Sequence, residues 1–278
     1  MGVARRSSEP TGGAPLIELY QIAAALYLAA GIGSLLGLLL PSPRMSRGGA
    51  WGLAVAVVVH SAAFASLHTM NPPPPLTDLV LVLSLAAWMS VLALLALMWW
   101  MRLPGLAAAV GPFAFLSVFI TALQLPDAGS AQAGATGALP HAHVLLGAGS
   151  LALLGLAGVA GGFFLLEHRR LKSKRSLRMA WSLPSLEALD NVNAVSLPVG
   201  FVLLSLGMLT GMAWREKVMG AFWAGESHEL WMGVVWLLYT GLVSLRFLGR
   251  QGARQSAASA VAGFAFLLFA VVGVGMWA

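Results

Sequence analysis

Eight long apolar stretches, separated by prolines and clusters of basic residues, restrict what this sequence can fold into. They lie at about residues 16–40, 51–69, 77–101, 106–125, 141–167, 195–214, 228–248 and 257–277. A helix needs about 20 mostly apolar residues to cross the hydrocarbon core of a bilayer, and these stretches meet that requirement. The sequence therefore predicts an all-α fold: a polytopic membrane helix bundle with eight transmembrane helices in one integral membrane domain.

The composition excludes a soluble fold. Only 9% of the 278 residues are charged and 59% are hydrophobic, whereas soluble domains carry about 25% charged residues. The formal net charge of +6 does not indicate nucleic-acid binding, because the basic residues cluster in loops between apolar stretches. The lipid bilayer is the predicted partner, and the absence of cysteine leaves no thiolate metal site or covalent cofactor attachment through this chain.

The distribution of Lys and Arg predicts the orientation. Twelve of the 16 Lys and Arg residues fall on one side of an eight-helix arrangement, and four fall on the other: Arg5, Arg6, Arg215 and Lys217. Since cytoplasmic loops carry the excess of basic residues, both termini are predicted to be extracytoplasmic. We expect the tryptophan-containing loop 215–227 to lie on that outer side, with the chain in a bacterial inner (cytoplasmic) membrane.

The segment FWAGESHELW combines aromatic, acidic and histidine side chains at the start of an apolar stretch. It contains Trp223, Glu226, His228 and Trp231, and the helix that follows contains Trp236. Aromatic side chains supply flat apolar walls, and a neutral imidazole can ligate a metal ion. Haem requires both features, so we interpret these residues as candidates for haem binding.

Histidines in the apolar stretches provide the candidate iron ligands, because ionisable groups inside a membrane are costly and often functional. His60 lies within the second stretch, and His143 opens the fifth. The candidates are therefore His143, His228 and His60, expected to converge near the outer leaflet, and which of them pair on one iron stays open. The alternatives are a neutral structural ring for His60 and an interfacial residue beside the aromatic belt for His228. Arg215 and Lys217 either pair with haem propionates or only mark a loop.

From residue 184 onward, the chain resembles the cytochrome c assembly family of haem-handling membrane proteins, which includes CcsA-type, CcmC-type and HemX-like members. The segment MGAFWAGESHELW is similar to the family's tryptophan-rich signature, and Trp223, Glu229 and Trp231 match it. Gly225 stands where a tryptophan is usual, and His228 stands where a lysine is usual. This weaker signature favours the HemX-like branch.

The resemblance implies a haem-handling protein that acts in cytochrome c assembly or in the regulation of haem biosynthesis. It implies haem b, bound non-covalently, as the cofactor. The implied partners are other cytochrome c assembly proteins or a haem-biosynthesis enzyme, and the chain is expected to be an accessory component rather than a catalyst alone. Two alternatives stay open: a b-type haem electron-transfer subunit and, less favoured, a secondary transporter.

Overall fold

The computed structural model describes residues 14–40, 42–70, 73–101, 103, 105–125, 137–172, 183–249 and 251–273. Within these residues the chain forms eight α-helices: α1 (Ala14–Leu39), α2 (Pro43–Leu67), α3 (Leu79–Trp100), α4 (Ala107–Gln124), α5 (Ala138–Lys172), α6 (Leu186–Met219), α7 (Ser227–Phe247) and α8 (Ala253–Leu268). A π-helical turn, Phe269–Gly273, continues α8. Eight spans in this described part are long and apolar enough to cross a membrane, which confirms the predicted all-α membrane bundle.

The end of α6 differs from the sequence-based prediction. The predicted loop 215–227 is shorter, because α6 continues to Met219 and the connection to α7 comprises residues 220–226 only. The polar residues before Met219 lower the hydropathy without breaking the helix. Gly220 ends it with a left-handed φ of 72°, a conformation that glycine adopts without steric cost.

Two clusters of buried side chains form the core. One cluster is built mainly from α1, α2, α3 and α4, and the other joins α3, α5, α6, α7 and α8. α5 packs along both α6 and α8, so it is the central helix of the second cluster. Of its own residues, all of which the structure describes, α7 buries only Val235 and Tyr239.

Glycines bring α1 and α4 into direct backbone contact. A Cβ added at Gly111 would lie 2.7 Å from the Cα of Gly31, which is closer than real Cβ atoms approach. Small residues at such crossings allow transmembrane helices to pack closely. The α1–α4 contact therefore depends on both positions remaining glycine.

His60 of α2 lies in a buried polar cluster between α1, α2 and α3. Its Nδ1 lies 3.3 Å from the hydroxyl of Tyr27, and its Nε2 lies 3.0 Å from the hydroxyl of Ser84. The ring also stacks on Phe64, with 4.7 Å between ring centroids. Because both ring nitrogens have hydrogen-bond partners, the cost of burying this imidazole is offset.

Ion pairs connect α6 to α7 near both ends of α7. At the end distant from the α6–α7 loop, Arg246 Nη1 lies 2.8 Å from Asp190 Oδ1. At the end nearer the loop, Arg215 Nη1 lies 2.9 Å from Glu229 Oε1. These contacts fix the position of a helix that has little buried apolar surface of its own.

Candidate functional site

A cavity of about 630 Å³ opens at one end of the bundle. The helices α3, α5 and α7 begin at this end, and α6 and α8 finish there, so five helices supply its walls. The volume falls within the range of about 300–1,000 Å³ that is usual for ligand sites. The ionisable residues that line it are Asp78, His143, Arg215, Glu226, His228 and Glu229.

His143, in the second turn of α5, is held in one orientation by α6. Its Nδ1 lies 2.8 Å from the carbonyl oxygen of Gly207. A carbonyl can only accept, so Nδ1 carries the proton and Nε2 keeps a lone pair for a ligand. Gly211 makes room for the ring, because a Cβ there would lie 2.7 Å from Nδ1. Trp214 lies beside the ring, with 6.1 Å between centroids.

His228 is the second residue of α7 and lines the same cavity. The lining of this cavity also includes His143 of α5. The helix begins immediately after a loop in which Gly225 has a φ of 75°. The structure thus brings two imidazoles together from two different helices.

Arg215 connects the last turns of α6 to the start of α7 through two carboxylates. Its Nη2 lies 2.6 Å from Glu226 Oε1 and its Nη1 lies 3.0 Å from Glu226 Oε2, which is a bidentate pair. The second carboxylate is that of Glu229, whose Oε1 lies 2.9 Å from Arg215 Nη1. Its Oε2 accepts the backbone N–H groups of Ala224 and Gly225 at 2.9 and 2.8 Å. Together these contacts hold loop 220–226 against the rim of the cavity.

Phe222 and Trp223 are the aromatic side chains of this loop, and both line the cavity. The Trp223 ring extends back over α7, where a Cβ added at Gly233 would lie 3.5 Å from Cη2. Both side chains are more than one-third exposed. They form an apolar cover at the rim of the cavity.

Methionines line much of the remaining wall, and the sequence reasoning did not identify them. Met208 and Met212 lie one turn apart on α6, and Met219 and Met232 complete the group. The i, i+4 spacing of Met208 and Met212 on an apolar helix is also the pattern of ordinary helix packing, so the sequence contained no specific signal for a ligand site. Flexible, polarisable thioethers allow a cavity wall to adapt to the shape of a ligand.

Three of the predicted site residues lie elsewhere. His60 is enclosed between α1, α2 and α3 and is not part of the cavity lining. His60 thus lies apart from the cavity that His143 and His228 line, because the sequence indicates depth in the membrane but not which helices are neighbours. Trp231 packs on Phe266 and Phe269, and Trp236 donates its Nε1–H to Ser205 at 3.0 Å, so neither lines the cavity.

The carboxylates at the rim differ in their electrostatic environments. The Arg215 guanidinium, mainly through its hydrogen bond, holds the pKa of Glu226 below its usual range. Partial desolvation raises the pKa of Asp78, which precedes α3. Glu226 is thus ionised and paired at neutral pH, whereas Asp78 lines the cavity and its carboxylate forms no ion pair with any residue that the structure describes.

The arrangement of the imidazoles does not suit a bare metal ion. In the described ranges, no three His, Asp or Glu side chains form a group that could hold a metal. The imidazole side chains that line the cavity, among the described residues, are those of His143 and His228.

Comparison with known proteins identifies similar sequences. The sequence profile described as Cytochrome C assembly protein matches residues 19–278, which includes most of α1 and all of α2–α8. The cytochrome c biogenesis protein CcsA of Prochlorococcus marinus strain MIT 9303 is 24% identical over 231 residues, covering 73% of each chain. CcsA of P. marinus subsp. pastoris strain MED4 is 35% identical over 88 residues, or 32% of this chain and 28% of that protein.

Proposed function

Because the chain belongs to the cytochrome c assembly protein family, we propose that it binds haem and handles it during cytochrome c assembly. The main observation is that His143 and His228, on two different helices, line one cavity. The names of the similar proteins, cytochrome c biogenesis protein CcsA, favour this function over electron transfer or transport.

The residues of the cavity fit a haem. Haem b, if bound here, would supply an iron that imidazole nitrogens can ligate. His143 presents Nε2 to the cavity, because Nδ1 donates to the carbonyl of Gly207, and such a second hydrogen bond orients a ligating histidine and increases its basicity. His228, which lines the same cavity, is the second residue that would ligate the iron.

The apolar walls orient the macrocycle and exclude water. Trp223 and Phe222 cover the rim, and Trp214 lies against His143. Trp231 and Trp236 contribute indirectly, by packing α7 against α8 and α6. These groups bind and position haem, so we assign the chain a role as an accessory component that acts together with other assembly proteins.

The proposed orientation places the cavity on the extracytoplasmic side of a bacterial inner membrane. The excess of Lys and Arg in the loops on the other side supports this assignment. A role in regulating haem biosynthesis, as in HemX-like proteins, stays a prediction. A b-type electron-transfer role is less favoured, because both nitrogens of His60 already have partners in Tyr27 and Ser84.

Titration of the detergent-purified protein with haemin tests the proposal. We expect a saturable shift of the Soret band with a stoichiometry of about one haem per chain, since one cavity holds both proposed ligands. His228→Ala should change the Soret position and the spin state even where haem still binds. A haemin titration without a saturable spectral change in the folded protein would contradict haem binding.

The space that Gly211 leaves for the His143 ring provides a second test. Gly211→Ala would place a Cβ 2.7 Å from Nδ1 of His143 and displace the ring from its bond to Gly207. We expect the haem affinity to fall roughly 10- to 100-fold, as for the loss of outer-shell support in other metal sites. Gly241→Ala is the matched control, because a Cβ there meets nothing within 4 Å. An equal haem affinity in the two variants would exclude this role of Gly211.

A further inference from the structure

The two carboxylates on Arg215 are held very differently. Glu229 is nearly buried, with 13% of its side chain exposed, and it also accepts two backbone N–H groups of the loop. Glu226 is 59% exposed, and among the described residues its side chain is hydrogen-bonded to Arg215 alone. Glu226 can therefore leave Arg215 at much lower cost than Glu229 can.

Arg215 would stay in place if Glu226 left. Its side chain is only 18% exposed, and the contact to Glu229 Oε1 at 2.9 Å fixes it at the cavity wall. The guanidinium fork that now receives Glu226 would then be free to bind another carboxylate in the same bidentate geometry.

The loop also allows Glu226 to move. Gly220 and Gly225 have φ values of 72° and 75° at the two ends of the segment. A Cβ added at either position meets nothing within 4 Å, so there is open space beside the loop at both glycines, while the backbone of Ala224 and Gly225 stays bonded to Glu229. Glu226 directly follows the second of these glycines.

We propose that Glu226 occupies the binding position for a carboxylate of the ligand and that the ligand displaces it from Arg215. The cavity thus accepts carboxylate-bearing macrocycles by exchange of one carboxylate for another. The exchange also explains how a site that already has a net negative charge could bind an anionic ligand. One guanidinium with two carboxylates already carries a net charge of −1, and an anionic ligand could not be added favourably unless Glu226 moved away. This inference rests on the proposed function, because it takes the ligand to be a haem with free propionates.

The test compares haemin with haemin dimethyl ester, which has the same macrocycle without carboxylates. In Glu226→Gln the competing charge is removed, and we expect haemin to bind roughly two- to fivefold more tightly, the range of an exposed ion pair. Binding of the dimethyl ester should be unchanged. In Arg215→Gln, the difference in affinity between haemin and the ester should disappear, and comparing the two ligands within the same variant cancels any change in the cavity itself.

Glu216→Gln is the matched control for Glu226→Gln. Glu216 is exposed beside Arg215 in the sequence, and no ion pair of its side chain is present in the described part of the chain. Its replacement removes the same charge without freeing Arg215, so haemin affinity should not change. An equal gain in both variants, or no gain in Glu226→Gln, would overturn the exchange of carboxylates. Failure of both porphyrins to bind the wild-type protein would instead overturn the proposed function, and the inference with it.

Discussion

Replacing His143 with alanine is expected to lower the affinity for haemin by roughly 100-fold or more, because loss of outer-shell support alone costs 10- to 100-fold at other metal sites. The expectation follows from the fixed tautomer, since the bond of Nδ1 to the Gly207 carbonyl leaves Nε2 as the ligating atom. Haemin titration followed at the Soret band measures the effect. Imidazole added to His143→Gly should restore part of the spectrum, because it would replace the missing ring.

His141→Ala is the control for this experiment. His141 lies two residues earlier on α5, is exposed, and bonds through Nδ1 to the carbonyl of Gly137 at 2.7 Å. It does not line the main cavity, so its removal should leave haemin affinity unchanged. If the two alanine variants lost affinity equally, the assignment of His143 as the iron ligand would be wrong.

Gly111→Ala is expected to destabilise the bundle by about 1–3 kcal/mol, the usual cost of overpacking. The new methyl group would lie 2.7 Å from the Cα of Gly31, and a backbone atom cannot move aside as a side chain can. An alanine in a helix interior is otherwise favoured over glycine by roughly 0.5–1 kcal/mol. The clash should therefore exceed the helical preference, and the midpoint of thermal unfolding in detergent should fall.

Gly162→Ala separates these two effects. A Cβ at Gly162, in α5, meets nothing within 4 Å, so this variant gains the helical preference without a clash. We expect its unfolding midpoint to be equal to or higher than that of the wild-type protein. A fall of the same size in both variants would show that the α1–α4 contact is not the cause.

The fold was predictable because membrane helices are specified by length and apolar composition. Eight helices in the described part of the chain are long and apolar enough to span a membrane, although α2 begins at Pro43 and α6 at Leu186, eight and nine residues before the predicted starts. Hydropathy does not report where a helix ends, however. Arg215, Glu216 and Lys217 looked like a loop, although they continue α6 to the glycine that ends it.

The candidate site was less predictable, because a single sequence does not show which helices are neighbours. The sequence predicts that His143 and His228 lie at helix starts at the same end of the bundle. In the structure, both side chains line one cavity. His60 lies at a plausible depth, but α2 packs it against Tyr27 and Ser84. Glu226 was expected to contact the cofactor directly, yet its bidentate partner is Arg215, a pairing between residues 11 positions apart.

The sparse packing of α7 has a consequence for the stability of the newly made chain. Only Val235 and Tyr239 of this helix are fully buried, and its other contacts are the partly buried packing of Trp231 and Trp236 and the ion pairs to Asp190 and Arg215. A ligand bound by both His143 on α5 and His228 on α7 would link a helix that is synthesised earlier to one that is synthesised later. We therefore expect newly made chains to be most vulnerable to membrane proteases before such a ligand is bound.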